Sequence, residues 1–331
     1  MSTTDFKQLF KKFSSAKIGV IGDVMLDTYW WGQVDRISPE APVPIVTVDR
    51  KEQRIGGAAN VALNLSSLGA PVTIFSLLGE DEDGSILSDL LKEQRITTSY
   101  LLRTASRITT NKMRVISRNQ QMLRLDSETV RPLLEEEQQL LIGQVEKFIR
   151  DESPQAIIFE DYNKGVLTEN VISSVIRLCK KFSVITAVDP KRKHFFQYKE
   201  VDIFKPNLKE AREALNLLQD EADEPFLLSI HDELQKQLKH RISLITLSEK
   251  GVFYKSAQTS DIVPSYIRNV ADVSGAGDTV VAVATLIYAI TKDVKLMAEV
   301  ANLAGGLVCE SVGTVAISKQ KLLKECLRIL I

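Results

Sequence analysis

The amino-acid sequence predicts an α/β fold, in which helices flank a mostly parallel central sheet and a small, discontinuous β lid is added. Short apolar runs of strand length alternate with amphipathic segments of helical length, which favours a parallel sheet covered on both faces. The chain has 331 residues, of which 44% are hydrophobic and 26% are charged. It is therefore long enough to bury a large core without disulfides or a structural metal. We expect one large domain over residues 1–331, with lid segments at about 28–50 and 100–126.

The first part of the chain contains the lid and the first strands. Residues 17–22 form an apolar run that ends in glycine, as is typical of a buried strand. Residues 42–48 are rich in β formers, but their prolines favour an edge or lid strand. A hairpin is expected at 112–125, because two alternating runs flank a turn at 118–120. The other elements expected here are a helix at 57–68, a strand at 72–77 and a helix at 83–94.

Helices and strands alternate through the rest of the sequence. The expected helices are residues 133–149, 168–181, 208–218, 223–238, 276–290, 296–310 and 319–327. The expected strands are residues 156–159, 184–188, 203–205 and 243–247, followed by a hairpin of 251–255 and 261–263. The sequence contains no low-complexity stretch, internal repeat or obvious linker, which favours a single domain.

Charge and residue usage exclude several classes of function. The 42 Lys and Arg residues nearly balance the 43 Asp and Glu residues, which argues against generic binding to nucleic acid or to an anionic membrane. The sequence has no apolar run of transmembrane length, and residues 1–15 lack the apolar core of a signal peptide. Its three cysteines are scattered and its three histidines lack metal-ligand spacing. We therefore expect a cytoplasmic protein without disulfides or a zinc site.

The string DVSGAGD at residues 272–278 is the strongest chemical signal. Its small residues allow a sharp turn before a helix, where the amides of Gly275, Ala276 and Gly277 would face an anion. Asp278 could then take a proton from a nearby hydroxyl while these amides hold the developing charge on a phosphate. An aspartate that only stabilises a helix N-terminus is the alternative, and it explains the complete string less well.

This string resembles the D-T-x-G-A-G-D signature of the ribokinase-like (PfkB) sugar kinases, with Val273 in place of the common threonine. The earlier string GGAAN at residues 56–60 resembles the N-terminal G-G-x-x-N signature of the same family. The two motifs occur in the family's order, and the resemblance covers nearly the whole chain. It implies a ribokinase-like fold and a kinase that uses ATP and Mg²⁺ to phosphorylate a sugar.

Five further strings resemble one branch of the family, the D-glycero-β-D-manno-heptose-7-phosphate kinases. They are GDVMLD at 22–27, RISPEAPVP at 36–44, SRNQQMLRLD at 117–126, DYNKG at 161–165 and DPK at 189–191. The resemblance implies phosphorylation of O1 of the heptose 7-phosphate, on the route to ADP-heptose and the lipopolysaccharide core. Relatives often carry a nucleotidyltransferase domain with an H-x-G-H motif, which this sequence lacks. The resemblance is therefore to the kinase-only form, with a separate nucleotidyltransferase acting later.

The same resemblance assigns sugar binding to residues near the N-terminal motifs. Asp27 follows the first expected strand, at an edge where α/β sheets bind ligands, and matches the family's sugar-binding aspartate. A turn-capping aspartate is the alternative. Gly56 and Gly57 would let the backbone approach the sugar, and Asn60 can donate to and accept from hydroxyls. An ordinary helix entry is the alternative for the two glycines.

Residues 101–125 contain six basic residues and no acidic one. Strand alternation places Lys112 and Arg114 on one face, and Arg124 lies on the partner strand of the expected hairpin. Such a face would suit the phosphate of a sugar phosphate. A solvated basic hairpin or a dimer surface is the alternative. We also expect a homodimer through the lid, because exposed sheet edges favour pairing.

The resemblance also supplies candidates for the nucleotide side. Asn207 and Glu210 match the N-x-x-E pair that holds water around nucleotide-bound Mg²⁺, although an N-cap with a capping-box glutamate explains the same spacing. The other nucleotide-side candidates are Lys191, Lys193, Thr246, Ser248 and Gly251. A solvated lysine is the alternative for each of the two lysines. Asp272 could form a monovalent-cation site, for K⁺, with the stretch at 311–313, as in some relatives.

Three functions are weighed against each other. The first is the sugar-phosphate kinase, and the second is another kinase of this family that acts on a hexose phosphate or a nucleoside. The basic lid opposes a neutral nucleoside. The third is a silent regulator that binds a nucleotide or sugar, against which the intact Asp278 and its glycines argue. Walker A, protein-kinase and dinucleotide-binding motifs are missing from the sequence, which excludes those classes.

Overall fold

Two β-sheets organise the structure, a computed structural model that describes residues 4–118, 120–219, 222–266 and 268–330. The strands of the central sheet are β1 (Ile18–Gly22), β4 (Val72–Gly79), β5 (Leu101–Thr104), β8 (Ala156–Glu160), β9 (Ile185–Asp189), β10 (Ile203–Phe204), β11 (Ile242–Thr246), β12 (Val252–Lys255) and β13 (Ser260–Val263). The second sheet, called the lid below, contains β2 (Val24–Ile37), β3 (Pro44–Gly57), β6 (Asn111–Ser117) and β7 (Gln120–Ser127).

The central sheet has the strand order β13-β12-β11-β10-β9-β8-β1-β4-β5. Every neighbouring pair from β11 to β5 is parallel, and only the pairs β11–β12 and β12–β13 within the described residues are antiparallel. The predicted, mostly parallel sheet is thus confirmed. Because parallel strands end at the same edge, the residues that follow β8, β9, β10 and β11 lie side by side.

Helices cover both faces of this sheet. They are α1 (Phe6–Lys11), α2 (Ala58–Leu68), α3 (Glu82–Glu93), α4 (Glu135–Glu152), α5 (Glu169–Lys181), α6 (Leu208–Leu215), α7 (Glu224–Leu238), α8 (Ala276–Thr291), α9 (Val294–Val308) and α10 (Lys319–Ile329). Alternate side chains of β8 join different cores, since Ile158 packs with α2, α8 and α9 whereas Phe159 packs with α4, α5 and α7. No helix of the described ranges is long and apolar enough to cross a membrane.

The lid differs from its expected bounds at both segments. Its first segment covers 24–57, because β2 begins among core side chains and then runs outward as an exposed strand. The expected second segment at 100–126 is wrong at its start. Leu101–Thr104 pairs in parallel with β4 at the edge of the central sheet, because α3 returns the chain to that edge. The predicted hairpin is confirmed, since β6 and β7 pair antiparallel.

A buried serine between two histidines supports β11, the strand that ends at the site described below. Ser243 Oγ lies 2.8 Å from His231 Nδ1 and 2.6 Å from His240 Nε2. A hydroxyl has one proton and two lone pairs, so which imidazole donates to it depends on the histidine tautomers. Burial lowers the pKa of both imidazoles, and that of His240 falls to about 3.

We expect the free energy of unfolding to decrease as the pH falls below 6.5. The unfolded chain then binds protons that the buried imidazoles do not, and His240 alone contributes about 2 kcal/mol between pH 7.5 and pH 5. Urea unfolding of the wild type and of His240→Gln at these two pH values measures this contribution. The variant should lose less stability on acidification, and an equal loss in both proteins would show that His240 is not the group concerned.

Candidate active site

A cleft with a volume of about 1160 Å³ lies along the carboxyl edge of the central sheet. This is the place where open α/β sheets bind ligands, and the volume is sufficient for a nucleotide. The predicted residues that line the cleft are Lys191, Asn207, Glu210, Thr246, Ser248, Gly251, Gly275, Ala276, Gly277 and Asp278. The structure thus brings together residues that are up to 87 positions apart in the sequence, from Lys191 to Asp278.

The glycine turn before α8 has the geometry that its sequence predicts. Gly275 adopts a φ of +76°, and a Cβ there would lie 2.8 Å from Asn60 Nδ2. The amide of Ala276 donates to the carbonyl of Val273 over 3.2 Å and closes the turn. Among the three predicted amides, those of Gly275 and Gly277 are therefore the better placed to bind an anion, as far as the described contacts extend.

Asp278 lies in the first turn of α8 and is almost completely buried. Its Oδ2 accepts a hydrogen bond from Asn60 Nδ2 over 2.7 Å, and its Oδ1 accepts one from the Tyr162 hydroxyl over 2.8 Å. Burial raises the pKa of Asp278 to about 6, although both hydrogen bonds oppose this effect. The carboxylate is thus ionised at neutral pH and still basic enough to accept a proton from a hydroxyl.

Two further carboxyl groups lie beside Asp278. One oxygen of each of Glu160, Asp189 and Asp278 lies within 4.8 Å of the others. Lys191 and Lys205 contact Asp189 at 3.0 and 2.9 Å. Burial acts to raise the pKa of Asp189, but the two lysines outweigh it and lower the pKa.

Glu160 differs from its two neighbours because neither of its carboxyl oxygens has a hydrogen-bond partner among the described residues. It is completely buried, and burial together with the nearby Asp189 raises its pKa well above the usual value. Glu160 therefore holds a proton up to a higher pH than an exposed glutamate does. The two lysines on Asp189 offset part of the negative charge of the cluster.

The pair Asn207 and Glu210 forms a capping box at the start of α6. Asn207 Oδ1 accepts from the Glu210 amide over 2.8 Å, and Glu210 Oε2 accepts from the Asn207 amide over 2.9 Å. The other oxygen of Glu210 lies 2.9 Å from Lys191 Nζ. The capping role considered above is therefore present, and binding of metal-bound water by this pair stays a prediction.

Two of the nucleotide-side candidates differ in position. Lys191 is mostly buried and contacts both Asp189 and Glu210, so it is not a solvated lysine. Lys193 is exposed on the short 3₁₀ turn Arg192–His194 and is not among the residues that line the cleft. The expectation that both lysines reach the nucleotide phosphates is thus supported by geometry for Lys191 alone.

Asp272 joins the glycine turn to the stretch at 311–313. Its Oδ1 accepts from the amide and hydroxyl of Ser274 over 2.9 and 2.8 Å, and its Oδ2 accepts from the Gly313 amide over 2.8 Å. Burial opposes ionisation, but these hydrogen bonds outweigh it and lower the pKa of Asp272. Arg54 of the lid donates to the carbonyl of Val312 over 3.1 Å, so the lid also contacts this stretch.

Asp27 lies inside β2 and not in a turn, so the alternative of a turn-capping aspartate is wrong. Its register partners are Arg54 on β3 and Lys112 on β6. Arg114 Nη1 donates to Asp27 Oδ1 over 2.6 Å. Gly56 leaves room for this carboxylate, since a Cβ at position 56 would collide with Asp27 Oδ2. The buried aspartate thus lies on the same face of the lid as Arg54 and Lys112, which is called the inner face below.

The three predicted lid cations share that inner face. Arg114 and Arg124 are direct register partners across β6 and β7, and Lys112 lies two residues before Arg114. Arg124 forms an ion pair of 2.8 Å with Asp126, and Lys112 Nζ lies 5.4 Å from the ring centre of Tyr162. The lid therefore presents a group of cations next to the cleft that contains Asp278.

Sequence reasoning missed five residues of the site. They are Arg54, Glu160, Tyr162, Asp189 and Lys205. Tyr162 belongs to the DYNKG string, which indicated a branch of the family but no role for the tyrosine. Glu160 and Lys205 stand at the ends of apolar runs, where a strand would place them at the carboxyl edge of the sheet. That position is the signal that could have identified them.

A helix N-terminus with a buried carboxylate in its first turn, beside a large cleft and a basic lid, is the arrangement expected of a phosphotransferase for small molecules. Residues 15–321 match the family described as pfkB family carbohydrate kinase. The chain belongs to this family of carbohydrate kinases.

Proteins named Bifunctional protein HldE are among the similar sequences. The chain is 41% identical over 297 residues to the protein from Aliarcobacter butzleri and covers 61% of its length. It is 37% identical over 317 residues to the protein from Haemophilus influenzae and covers 64% of its length. These matches include 89% and 95% of the present chain. The chain thus spans less than two thirds of these relatives.

Solved structures support the fold. The structure of phosphofructokinase-2 from Escherichia coli in complex with potassium superposes with a TM-score of 0.77 at 19% identity, over 93% of this chain and 97% of that one. Ribokinase from Arabidopsis thaliana, in complex with ribose and ATP, gives 0.72 at 17% identity, over 93% and 99%. The predicted ribokinase-like fold is therefore confirmed.

We expect Asp278→Asn to lower kcat by about 10²–10⁴-fold, the usual contribution of general acid–base catalysis. The wild-type kcat should also fall as the pH decreases through about 6, because protonated Asp278 cannot accept a proton. Steady-state kinetics from pH 5 to pH 8.5 measure both effects. Near wild-type turnover in Asp278→Asn would exclude the base role.

Proposed function

We propose that this kinase transfers the γ-phosphate of ATP to O1 of D-glycero-β-D-manno-heptose 7-phosphate and forms the 1,7-bisphosphate, in ADP-heptose and lipopolysaccharide core biosynthesis. The observation that carries the proposal is the group of lid cations opposite the buried Asp278. A substrate that already bears a phosphate needs cations of its own, apart from the amides that hold the transferred phosphate. The branch-specific strings and the similarity to HldE proteins support the choice of sugar.

In the proposed reaction Asp278 accepts the proton of the O1 hydroxyl. O1 forms a bond to the γ-phosphorus as the bond from that phosphorus to the oxygen of ADP breaks, and the proton stays on Asp278. The amides of Gly275 and Gly277 stabilise the charge on the transferred group.

The lid would bind the two ends of the sugar differently. Asp27 would accept hydroxyl protons, and the neighbouring Gly56 and Gly57 would allow close approach of the backbone. Lys112, Arg114 and Arg124 would bind the 7-phosphate. Arg114 donates to Asp27 in the structure described here and carries further N–H groups for a phosphate. Asn60 would hold Asp278 in addition to any contact with the sugar.

Mg²⁺ and K⁺ are the proposed ions. The carboxylate of Glu210 borders the cleft next to Lys191, an arrangement that suits metal-bound water more than direct coordination. When bound, Mg²⁺ would neutralise charge on the phosphates of ATP. The ionised Asp272, with the stretch at 311–313, is the candidate for a K⁺ site. Potassium is present in the related phosphofructokinase-2 structure.

A hexose phosphate is the alternative substrate, because the same cations would bind its phosphate. We expect a coupled kinase assay with a panel of sugars to give the highest kcat/KM for the heptose 7-phosphate. Arg114→Ala should lower kcat/KM for this substrate by about 10–150-fold, the cost of one charge-assisted contact. The non-phosphorylated heptose should be a poor substrate for the wild type and should lose less in the variant, because only the effect through Asp27 remains for it.

The matched control is Arg118→Ala, which removes a mostly exposed arginine from the same hairpin. It should leave both kinetic constants nearly unchanged, and the KM for ATP should change little in either variant. Equal losses on both sugars, or a loss confined to ATP, would mean that Arg114 does not bind the sugar's phosphate.

We also propose a homodimer formed through the outer face of the lid. Leu123 and Leu125 on β7 are half exposed there, and their register partners Val115 and Met113 continue the same apolar face. Covering these side chains with a second copy would remove apolar surface from water. The inner face of the lid would stay free for substrate.

Leu123→Asp should convert the dimer into a monomer at micromolar concentration, because a carboxylate would be buried in the interface. Analytical ultracentrifugation measures the change. Leu140→Asp, at an exposed leucine on α4, is the control and should stay dimeric. A monomeric wild type, or identical sedimentation of the two variants, would contradict the lid interface.

A nucleotidyltransferase that acts later in the pathway is the proposed functional partner. The HldE relatives are named bifunctional proteins, which fits a kinase joined to a second activity in those proteins. A cytoplasmic location, where ATP is available, completes the proposal.

A further inference from the structure

Tyr162 is a partly buried residue of the site to which the proposed reaction gives no role. Its hydroxyl donates to Asp278 Oδ1 over 2.8 Å, while Asn60 donates to the other carboxylate oxygen. The two donors therefore fix the plane of the carboxylate from two sides. Only one of them, Asn60, comes from a motif that the sequence had linked to function.

The loop that carries Tyr162 is held rigidly by a second buried aspartate. Asp23, between β1 and β2, accepts hydrogen bonds of 3.0 Å from the amides of Tyr162, Lys164 and Val166. Asp23 is almost completely buried. The backbone at position 162 is thus tied to the start of the lid, so the tyrosine hydroxyl approaches Asp278 from a fixed direction.

The hydroxyl of Tyr162 acts as a hydrogen-bond donor toward Asp278. Burial and the nearby Asp278 carboxylate raise the pKa of Tyr162 well above its usual value, so the hydroxyl keeps its proton at any working pH. Its ring lies 5.4 Å from Lys112 Nζ of the lid and 5.6 Å from Lys191 Nζ of the nucleotide side. The residue therefore stands between the two halves of the site.

We propose that Tyr162 is a positioning residue that orients the Asp278 carboxylate and keeps it ionised for proton transfer. The inference rests on the proposed base role of Asp278. The charged and titratable groups around Asp278 are Glu160, Tyr162, Asp189, Lys191 and Lys205. Lys191 and Lys205 are paired with Asp189, and the tyrosine is the titratable group that donates directly to Asp278 among the described contacts.

Tyr162→Phe removes the hydroxyl and keeps the ring between the two lysines. We expect kcat at pH 7 to fall about 10–100-fold, because a hydrogen bond to the charged carboxylate is lost. The acidic limb of the kcat profile should move to higher pH, since a donor that favours the charged form has been removed. The deficit should thus be larger at pH 6 than at pH 8, and KM for sugar and ATP should change less than threefold.

Tyr198→Phe is the matched control. Tyr198 is completely buried, whereas Tyr162 is partly buried, and the Tyr198 hydroxyl likewise donates over 2.8 Å to a carboxylate, Asp161 Oδ2 of the same loop. Both variants should lose similar thermal stability. Only Tyr162→Phe should shift the acidic limb.

A double-mutant cycle with Asp278→Asn tests whether Tyr162 acts through Asp278. Tyr162→Phe should cost little further kcat in the Asp278→Asn background. An unshifted acidic limb in Tyr162→Phe, or a full additional loss in the double variant, would overturn the positioning role. A selective rise of KM for the sugar would instead make Tyr162 a substrate contact. Retained turnover in Asp278→Asn alone would contradict the proposed function, which keeps the two failures apart.

Discussion

The active site depends on one constraint: the Asp278 carboxylate must be buried at the start of α8 and still be ionised. Asp278 shares its surroundings with Glu160 and Asp189, and three negative charges this close would strongly repel each other. Lys191 and Lys205 offset the charge of Asp189, and burial together with Asp189 raises the pKa of Glu160. With these contacts Asp278 has a pKa of about 6, so it is ionised at neutral pH and can still accept a proton.

The lid is joined to this centre by ionic and aromatic contacts. Two guanidinium groups contact the ring of Tyr29 on β2. The Cζ atom of Arg54 lies 5.0 Å from the ring centre, and that of Arg114 lies 5.2 Å from it. Arg114 reaches Asp27, which we assign to the sugar, and Arg54 reaches the stretch beside Asp272. A change at the sugar end can therefore be transmitted to the glycine turn through side chains that are already in contact.

Periodicity and motifs predicted much of the fold and part of the site. The helix that begins at Ala276 and its Asp278 follow from local sequence, because the small residues before it permit the sharp turn with positive φ at Gly275. The path of β2 could not be predicted from the sequence. Half of that strand is buried and half is exposed, so apolar and polar residues do not alternate along it as in a strand with one buried face. Tyr162 meets Asp278 through a contact between residues 116 positions apart, and no local pattern contains such a contact. Lys193 looked equivalent to Lys191 because the sequence does not show that a 3₁₀ turn directs it away from the cleft.

The most direct test is a crystal structure of the wild type with heptose 7-phosphate, Mg²⁺ and a non-hydrolysable ATP analogue. The account predicts that O1 of the sugar lies within about 3 Å of an Asp278 carboxylate oxygen and in line with the γ-phosphate. The γ-phosphate should contact the Gly275 and Gly277 amides, and the 7-phosphate should contact Arg114. A sugar bound with O1 away from Asp278, or with its 7-phosphate at the glycine turn, would contradict it.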